Sequence, residues 1–466
     1  MMLAFAEMGK LLAGLLVAVL VSSRAFSAQG PIVRPEADPR IQKLVSNVSD
    51  ERLGSLVQKL AGFGTRHTLS DTESATRGIG AARQWIFDEL ARSSAKLQVS
   101  FDIHKLARQG RITRNVDLRN VIAVLPGKSP RRIYITAHYD TVNIGEEGQI
   151  SANTRAPSTT PRPDPQLRRD QNYDVDAPGA NDNGSGTALT MELARVFAES
   201  GIEFEATLAF VLWAGEEQGL IGARAHAMEL FKNKTAVEAN FNSDIVGNSR
   251  GGDGTTDAAS IRVYSEGPED SMSRSLARYI GRMAAVYVPS HTVRLMARQD
   301  RFSRGSDHTA FTQYGFPAVA FRESKEDFSR QHAATDTVDG VDVRYLAQNA
   351  RVNAAAVASL ALAPPAPVVT NARGQMMIGR QPSGYDANLR WNASPGASAY
   401  RLYWRETWTT DWQQTQLAGD VTEYMLPKLS IDNFVFGVAA VGPNGHESLI
   451  SAYVPPLRRD PVVKTR

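Results

Sequence analysis

Cysteine is absent from the 466 residues. Its absence excludes a disulfide framework, a thiol nucleophile and a thiolate-bound metal, so any metal site must be built from histidine and carboxylates. Charge of one sign is also scarce: 52 Lys and Arg face 49 Asp and Glu, for a net charge of +3 and no dense basic run. Nucleic acid would therefore find no electrostatic footprint and is not expected as a partner. The Gly-rich stretch 247–254 lacks the Lys-Ser/Thr ending of a phosphate cradle, which argues against nucleotide binding. Apolar runs are short. The stretch 11–21 follows Lys10 and precedes small residues at 23–28, and its length of about a dozen residues falls below the roughly 20 that a bilayer span needs. Residues 1–28 are therefore read as an export signal, which places the mature protein in the periplasm or outside the cell without stable membrane insertion.

What is present points to two folded units. A 42% hydrophobic and 22% charged composition is globular, and the length exceeds that of one ordinary domain. Helical periodicity dominates 41–61 and 76–90. From Asn120 onward, apolar β-rich runs at 121–125, 133–137, 206–213, 261–264 and 318–321 alternate with helical ones at 188–199, 223–231, 271–286 and 343–362. This alternation predicts a three-layer α/β/α unit over 36–362 with a mostly parallel central sheet, whose ligands bind beyond the carboxyl ends of the strands. A polar, Pro-rich flexible insertion is expected at 143–177. A stiff Pro-rich linker, 363–367, leads to short alternating strands over 368–457. There, Trp391, Tyr400, Tyr403 and the Gly442-Pro443-Asn444-Gly445 turn resemble a fibronectin type III sandwich.

Chemistry-bearing residues gather where strands should end. His138-Tyr139-Asp140 follows the run 133–137, a pairing in which one ring nitrogen can bind a metal while Asp140 holds the other. Gly179-Ala180-Asn181-Asp182-Asn183-Gly184-Ser185-Gly186 precedes a helix; its glycines allow a tight turn, and a carboxylate there can bridge two cations. After the run 206–213 stand Glu216 and Glu217. Adjacent acids beyond a buried strand are poorly explained as a solvated face, and one can ligate while its neighbour moves protons. Asp244 offers another hard oxygen, and His332 supplies a second imidazole.

The ordered set resembles the co-catalytic di-zinc exopeptidases of peptidase clan MH, particularly the secreted leucyl aminopeptidase and aminopeptidase Y relatives. The shared pattern is His-x-Asp, Gly-Ala-x-Asp-Asn-Gly-Ser-Gly, Glu-Glu-x-Gly, Asp-x-x-Gly, Ser-Asp-His-x-x-Phe at 306–311 and His-x-x-x-Asp-Thr at 332–337, with Thr65-Arg66-His67-Thr68-Leu69-Ser70 similar to the family's N-terminal segment. The resemblance implies two zinc ions bridged by Asp182. Glu217 and His332 would complete one position and His138 and Asp244 the other, with Glu216 as catalytic base. Asp140, Asp307 and His308 would support the ligands. It also implies peptide substrates, trimmed as by an aminopeptidase; a carboxypeptidase or a glutaminyl cyclase of the same fold would use the same ligands. Where relatives place Tyr before Ser-Asp-His, this chain has Phe302-Ser303-Arg304-Gly305, so Arg301 or Arg304 is a candidate for the oxyanion or for a substrate carboxylate. A different class of reading makes the chain a non-catalytic protein whose β domain docks to a surface or polymer.

Overall fold

The computed structural model describes residues 30–31, 35–145, 173–302 and 304–455. The expected leader and most of the expected insertion lie outside these residues. A two-residue strand, β1 (Gly30–Pro31), stands apart from the main sheet. That sheet comprises β2 (Gln98–Leu106), β3 (Val116–Leu125), β4 (Ser129–His138), β5 (Ala206–Trp213), β6 (Val237–Ser243), β7 (Ser260–Ser265), β8 (Thr292–Met296) and β9 (Ala318–Glu323). Their order is β2-β3-β5-β4-β6-β9-β7-β8. Neighbours β4, β5, β6 and β9 all run parallel, as do β7 and β8; antiparallel pairs occur at β2–β3, β3–β5 and β7–β9. Because β4, β5, β6 and β9 point the same way, their carboxyl ends lie along one edge.

Alternation along the central strands builds two cores. Ile133, Ile135, Ala137, Leu208, Phe210 and Leu212 face the larger one, while Tyr134, Ala209, Val211 and Trp213 face the smaller. Helices α1 (Pro39–Ser46), α2 (Asp50–Ala61), α3 (Gly78–Ser93), α4 (Gly184–Glu199), α6 (Met272–Tyr287) and α8 (Val343–Leu362) cover the first. Helices α5 (Ile221–Lys232) and α7 (His308–Gln313) cover the second. Both faces of β4 and β5 are thus dry, which explains their unbroken apolar runs.

Two local expectations change. The periodic run 41–61 is two helices: Ser49 caps α2 by accepting from the Arg52 amide, and its own amide donates to Glu192 Oε1 at 2.9 Å. Helix α4 starts at Gly184, ahead of the expected 188, because Asn183 accepts from the Gly186 amide as a cap.

The C-terminal residues form two antiparallel sheets. One contains β10 (Ile378–Gly379), β11 (Ala387–Arg390) and β14 (Glu423–Leu426). The other contains β12 (Ala399–Glu406), β13 (Gln414–Gly419), β15 (Phe434–Val441) and β16 (Ser451–Ala452), with β1 added against β13. Trp391, Tyr400, Leu402, Trp404, Phe436 and Val438 share their core. The Pro-rich connection is not a free spacer, since Ala363 is buried and Ala366 packs on the main core. Leu449 enters that same core, and Arg405 Nη2 donates to both carboxylate oxygens of Asp270 at 2.7 and 2.8 Å. Among the described residues, no helix is long and apolar enough to cross a membrane.

Candidate metal centre

Four of the chemistry-bearing residues sit at or just beyond carboxyl ends along the shared edge. His138 is the last residue of β4, Glu216 and Glu217 lie in the turn after β5, and Asp244 follows β6. Asp182 is in the turn before α4. The start of α4 that follows is pressed against the end of β6: a Cβ on Gly186 would come within 2.2 Å of the Ser243 carbonyl oxygen. Only glycine permits this approach.

The structure brings five of the expected residues into two overlapping groups. His138, Asp182 and Asp244 form one; Asp182, Glu217 and His332 form the other, with the potential ligand atoms within each group lying inside 4.8 Å of one another. His138 Nε2 is 3.5 Å from Asp182 Oδ1 and 3.4 Å from Asp244 Oδ1. His332 Nε2 is 3.0 Å from Asp182 Oδ2 and 3.3 Å from Glu217 Oε1. Asp182 therefore offers one oxygen to each side. Among the described residues, Asp244 Oδ1 and Glu217 Oε1 are buried without a hydrogen-bond partner. Buried anionic oxygens converging with imidazole nitrogens suit divalent cations with N/O ligands, and zinc fits this donor set.

Backbone geometry at the centre is unusual. Ile245 and His332 adopt left-handed φ of 57° and 58°, which is costly for a β-branched isoleucine and persists only where surroundings enforce it. Here the Asn183 side chain accepts from the Ile245 amide at 3.3 Å, and the Ile245 carbonyl accepts from Glu323 at 2.8 Å.

Supporting groups fix each donor. Asp140 accepts from the Glu216 and Glu217 amides, each at 3.2 Å, and from Thr68 Oγ1. His138 Nδ1 lies 3.1 Å from the Asp140 carbonyl oxygen and 3.6 Å from its carboxylate, so the backbone of Asp140 is the nearer partner of the ring. Asp307 is fully buried beside this group, with neither carboxyl oxygen hydrogen-bonded among the described residues. Burial raises it well above the usual carboxylate range against the pull of His138. His308 Nε2 lies 2.9 Å from the Gln299 carbonyl, and burial lowers its pKa.

Charge separates the two carboxylates of greatest interest. Burial would raise Asp244, but Arg322 and His138 overcome it and hold the group well below its ordinary range. Glu216, half-buried at the same mouth, moves the other way: burial raises it well above the ordinary value, against His138 and with help from Glu217, Asp307 and Asp244. Against burial, Glu217 and Asp182 push His332 up to about 9.

Arg301 and Arg304 converge on Glu326 beside the His332 loop. Arg301 Nη1 is 2.6 Å and Arg304 Nη1 is 3.2 Å from Glu326 Oε2, and Arg304 Nη2 donates to Gln331 Oε1. Three important residues escaped sequence reasoning. Asp336 accepts from the Asn181 and Asp182 amides at 2.9 and 2.8 Å, and its place in His-x-x-x-Asp-Thr was the available signal. Arg66 clamps the Tyr139, Pro178 and Gly179 carbonyls at 2.7, 2.6 and 2.9 Å; its signal was the segment 65–70. Arg322, fully buried, joins Asp244 Oδ2 at 2.6 Å to Asp300 Oδ2 at 3.1 Å, and nothing beyond its position after an apolar run announced it.

Comparison with known proteins identifies relatives in sequence and in fold. Residues 120–357 match the family described as Peptidase family M28. A probable zinc metalloprotease of Leptosphaeria maculans is 36% identical over 452 residues, covering 90% of this chain and 97% of that protein. One from Pyricularia oryzae is also 36% identical, covering 89% and 84%. In fold, the chain resembles the LapA aminopeptidase of Legionella pneumophila, with a TM-score of 0.52, 18% identity and coverage of 72% and 78%. It likewise resembles a glutaminyl cyclase of Porphyromonas gingivalis, with a TM-score of 0.50, 16% identity and coverage of 66% and 97%.

Proposed function

The chain belongs to peptidase family M28 and is a zinc metallopeptidase, and from that premise we propose that it is an exported two-zinc aminopeptidase with Glu216 as general base. The observation that carries the reading is Asp182, whose two oxygens face two separate ligand groups, with Glu216 next to the ligand Glu217 in the chain. Under this reading, His138, Asp182 and Asp244 hold one ion and Asp182, Glu217 and His332 the other. Bound there, the ions would polarise the scissile carbonyl and bring the pKa of a water toward about 7.

The chain's own residues supply the rest. Glu216, which belongs to neither ligand group, accepts a proton from the attacking water and returns it to the leaving amine. Asp140 holds the amides of both glutamates, so base and ligand keep a fixed separation. Arg304, half-buried near the His332 loop, is proposed to meet a carboxylate of the substrate, with Arg301 neutralising Glu326 behind it. The C-terminal sheets are proposed to form a fibronectin type III-like domain.

Turnover of a free Leu anilide, abolished by N-acetylation, is the expected result; equal turnover of the blocked substrate refutes an aminopeptidase. Glu216→Gln should retain zinc but lose roughly 10² or more in kcat. Release of ammonia from N-terminal Gln peptides without peptide cleavage would assign cyclase chemistry instead.

A further inference from the structure

The turn carrying Glu216 and Glu217 is closed at both ends by one side chain outside the metal centre. Asn120, in β3 and fully buried, accepts from the Ala214 amide through Oδ1 at 3.1 Å and donates through Nδ2 to the Gly222 carbonyl at 3.3 Å. Ala214 begins the turn and Gly222 lies in the first turn of α5. The fit is tight: a Cβ on Gly222 would stand 2.2 Å from Asn120 Oδ1 and 2.5 Å from the Ala214 carbonyl oxygen.

An amide can bind this way in only one of its two orientations, and Asp102 selects it. Asp102 lies opposite Asn120 on β2, and its Oδ2 accepts from Asn120 Nδ2 at 3.0 Å. The same oxygen lies 3.0 Å from His104 Nε2 and 2.9 Å from His226 Nδ1. His226 belongs to α5, the helix that follows the turn. Burial opposes ionisation of Asp102, but hydrogen bonds from His104, His226 and Asn120 hold it well below the usual range. An ionised carboxylate only accepts, so the NH2 of Asn120 must face it and Oδ1 must face the Ala214 amide.

We propose that Asn120, oriented by Asp102, is the positioning residue that sets the Glu216–Glu217 turn against the metal centre. This rests on the roles proposed for those two glutamates. Asn120→Leu keeps the branched shape, at a larger volume, but leaves the buried Ala214 amide without an acceptor. The turn relaxes, and both the proton-transfer group and a ligand move with it. Misplacement of this kind costs about ten- to a hundredfold in kcat.

The test measures kcat, KM and zinc per chain after dialysis for Asn120→Leu, Asp102→Ala, Asp102→Asn and Glu216→Gln. Asn120→Leu should lower kcat by about ten- to a hundredfold, leave KM within about twofold and lose zinc at chelator concentrations that wild type withstands. Asp102→Ala should lower kcat by about tenfold, and Asp102→Asn, which keeps an acceptor in place, should restore most of that loss. A folded Asn120→Leu with wild-type kcat and zinc content, whatever its melting temperature, overturns the proposal. If Asn120→Leu does not fold, equal kcat in the two Asp102 variants overturns it. Undiminished turnover in Glu216→Gln instead removes the underlying reading, so the two failures are distinguishable.

Discussion

Arg322→Met tests the electrostatics of the centre most directly. The guanidinium is fully buried between Asp244 Oδ2 at 2.6 Å and Asp300 Oδ2 at 3.1 Å, and it also donates to the Asp244 carbonyl at 2.9 Å. Removing one partner of a buried ion pair typically costs about 3–5 kcal/mol, because the remaining charge stays buried and uncompensated. Asp300 retains the Arg301 amide at 2.6 Å and the Arg301 side chain at 3.3 Å. Asp244 retains His138. The lower end, about 3 kcal/mol, is therefore expected in metal-free protein. Zinc narrows the gap, because an ion held by Asp244 replaces the missing positive charge, so the variant gains more from binding it than wild type, whose Arg322 already pairs with that carboxylate. The zinc-loaded variant should then lie within about 1–2 kcal/mol of loaded wild type. Urea unfolding followed by tryptophan fluorescence, with and without chelator, measures both differences. Adding Asp300→Asn should recover part of the metal-free loss. A metal-free loss below about 1 kcal/mol, or equal losses with and without zinc, would refute the argument.

Zinc loading at pH 7 should release about two protons, because His332, pushed up to about 9, and His138, also raised, bind metal only as neutral rings. Apparent affinity should accordingly rise with pH up to about 9; calorimetry in buffers of different ionisation enthalpy counts the protons, and a count of zero contradicts the assignment. Burial lowers His67 to about 4 from an ordinary 6.5, so between those values the unfolded chain binds a proton that the fold does not. Its contribution is present above pH 6.5 and is lost as pH falls toward 4, with a slope of at most about 1.4 kcal/mol per unit. His67→Gln should flatten the urea-midpoint profile in that window; an unchanged slope speaks against a buried neutral ring. Truncation after Leu362 removes Leu449 from the main core and strips Asp270 of Arg405. The truncated chain should melt well below wild type, and an unchanged melting temperature with full activity would make the C-terminal unit a separable module.

The α/β layering was legible because β4 and β5 are dry on both faces and so appear as unbroken apolar runs. Strand β2 was not, because it lies at the sheet edge and carries Asp102, His104 and Lys105 among its apolar residues. The break between α1 and α2 was hidden for a related reason: periodicity continues across it, while the cap and the Glu192 contact that enforce it are local and tertiary. No pattern in residues 30–31 could announce their pairing with β13, since a two-residue strand has no period of its own.

By itself the sequence determined the donor inventory: no thiolate, His138 and His332, two of its eight histidines, within the family-like motifs, and carboxylates such as Glu216, Glu217 and Asp244 soon after apolar runs, where a parallel sheet must end. Only the tertiary structure decided which oxygen faces which nitrogen, that Arg322 occupies one side of Asp244, that Arg301 and Arg304 are engaged with Glu326, and that Asn120 closes the glutamate turn. The division has a physical cause. Periodicity and strand ends follow from contacts within a few residues of chain, whereas the charge and orientation of a buried group depend on partners brought from strands and loops far apart in the chain.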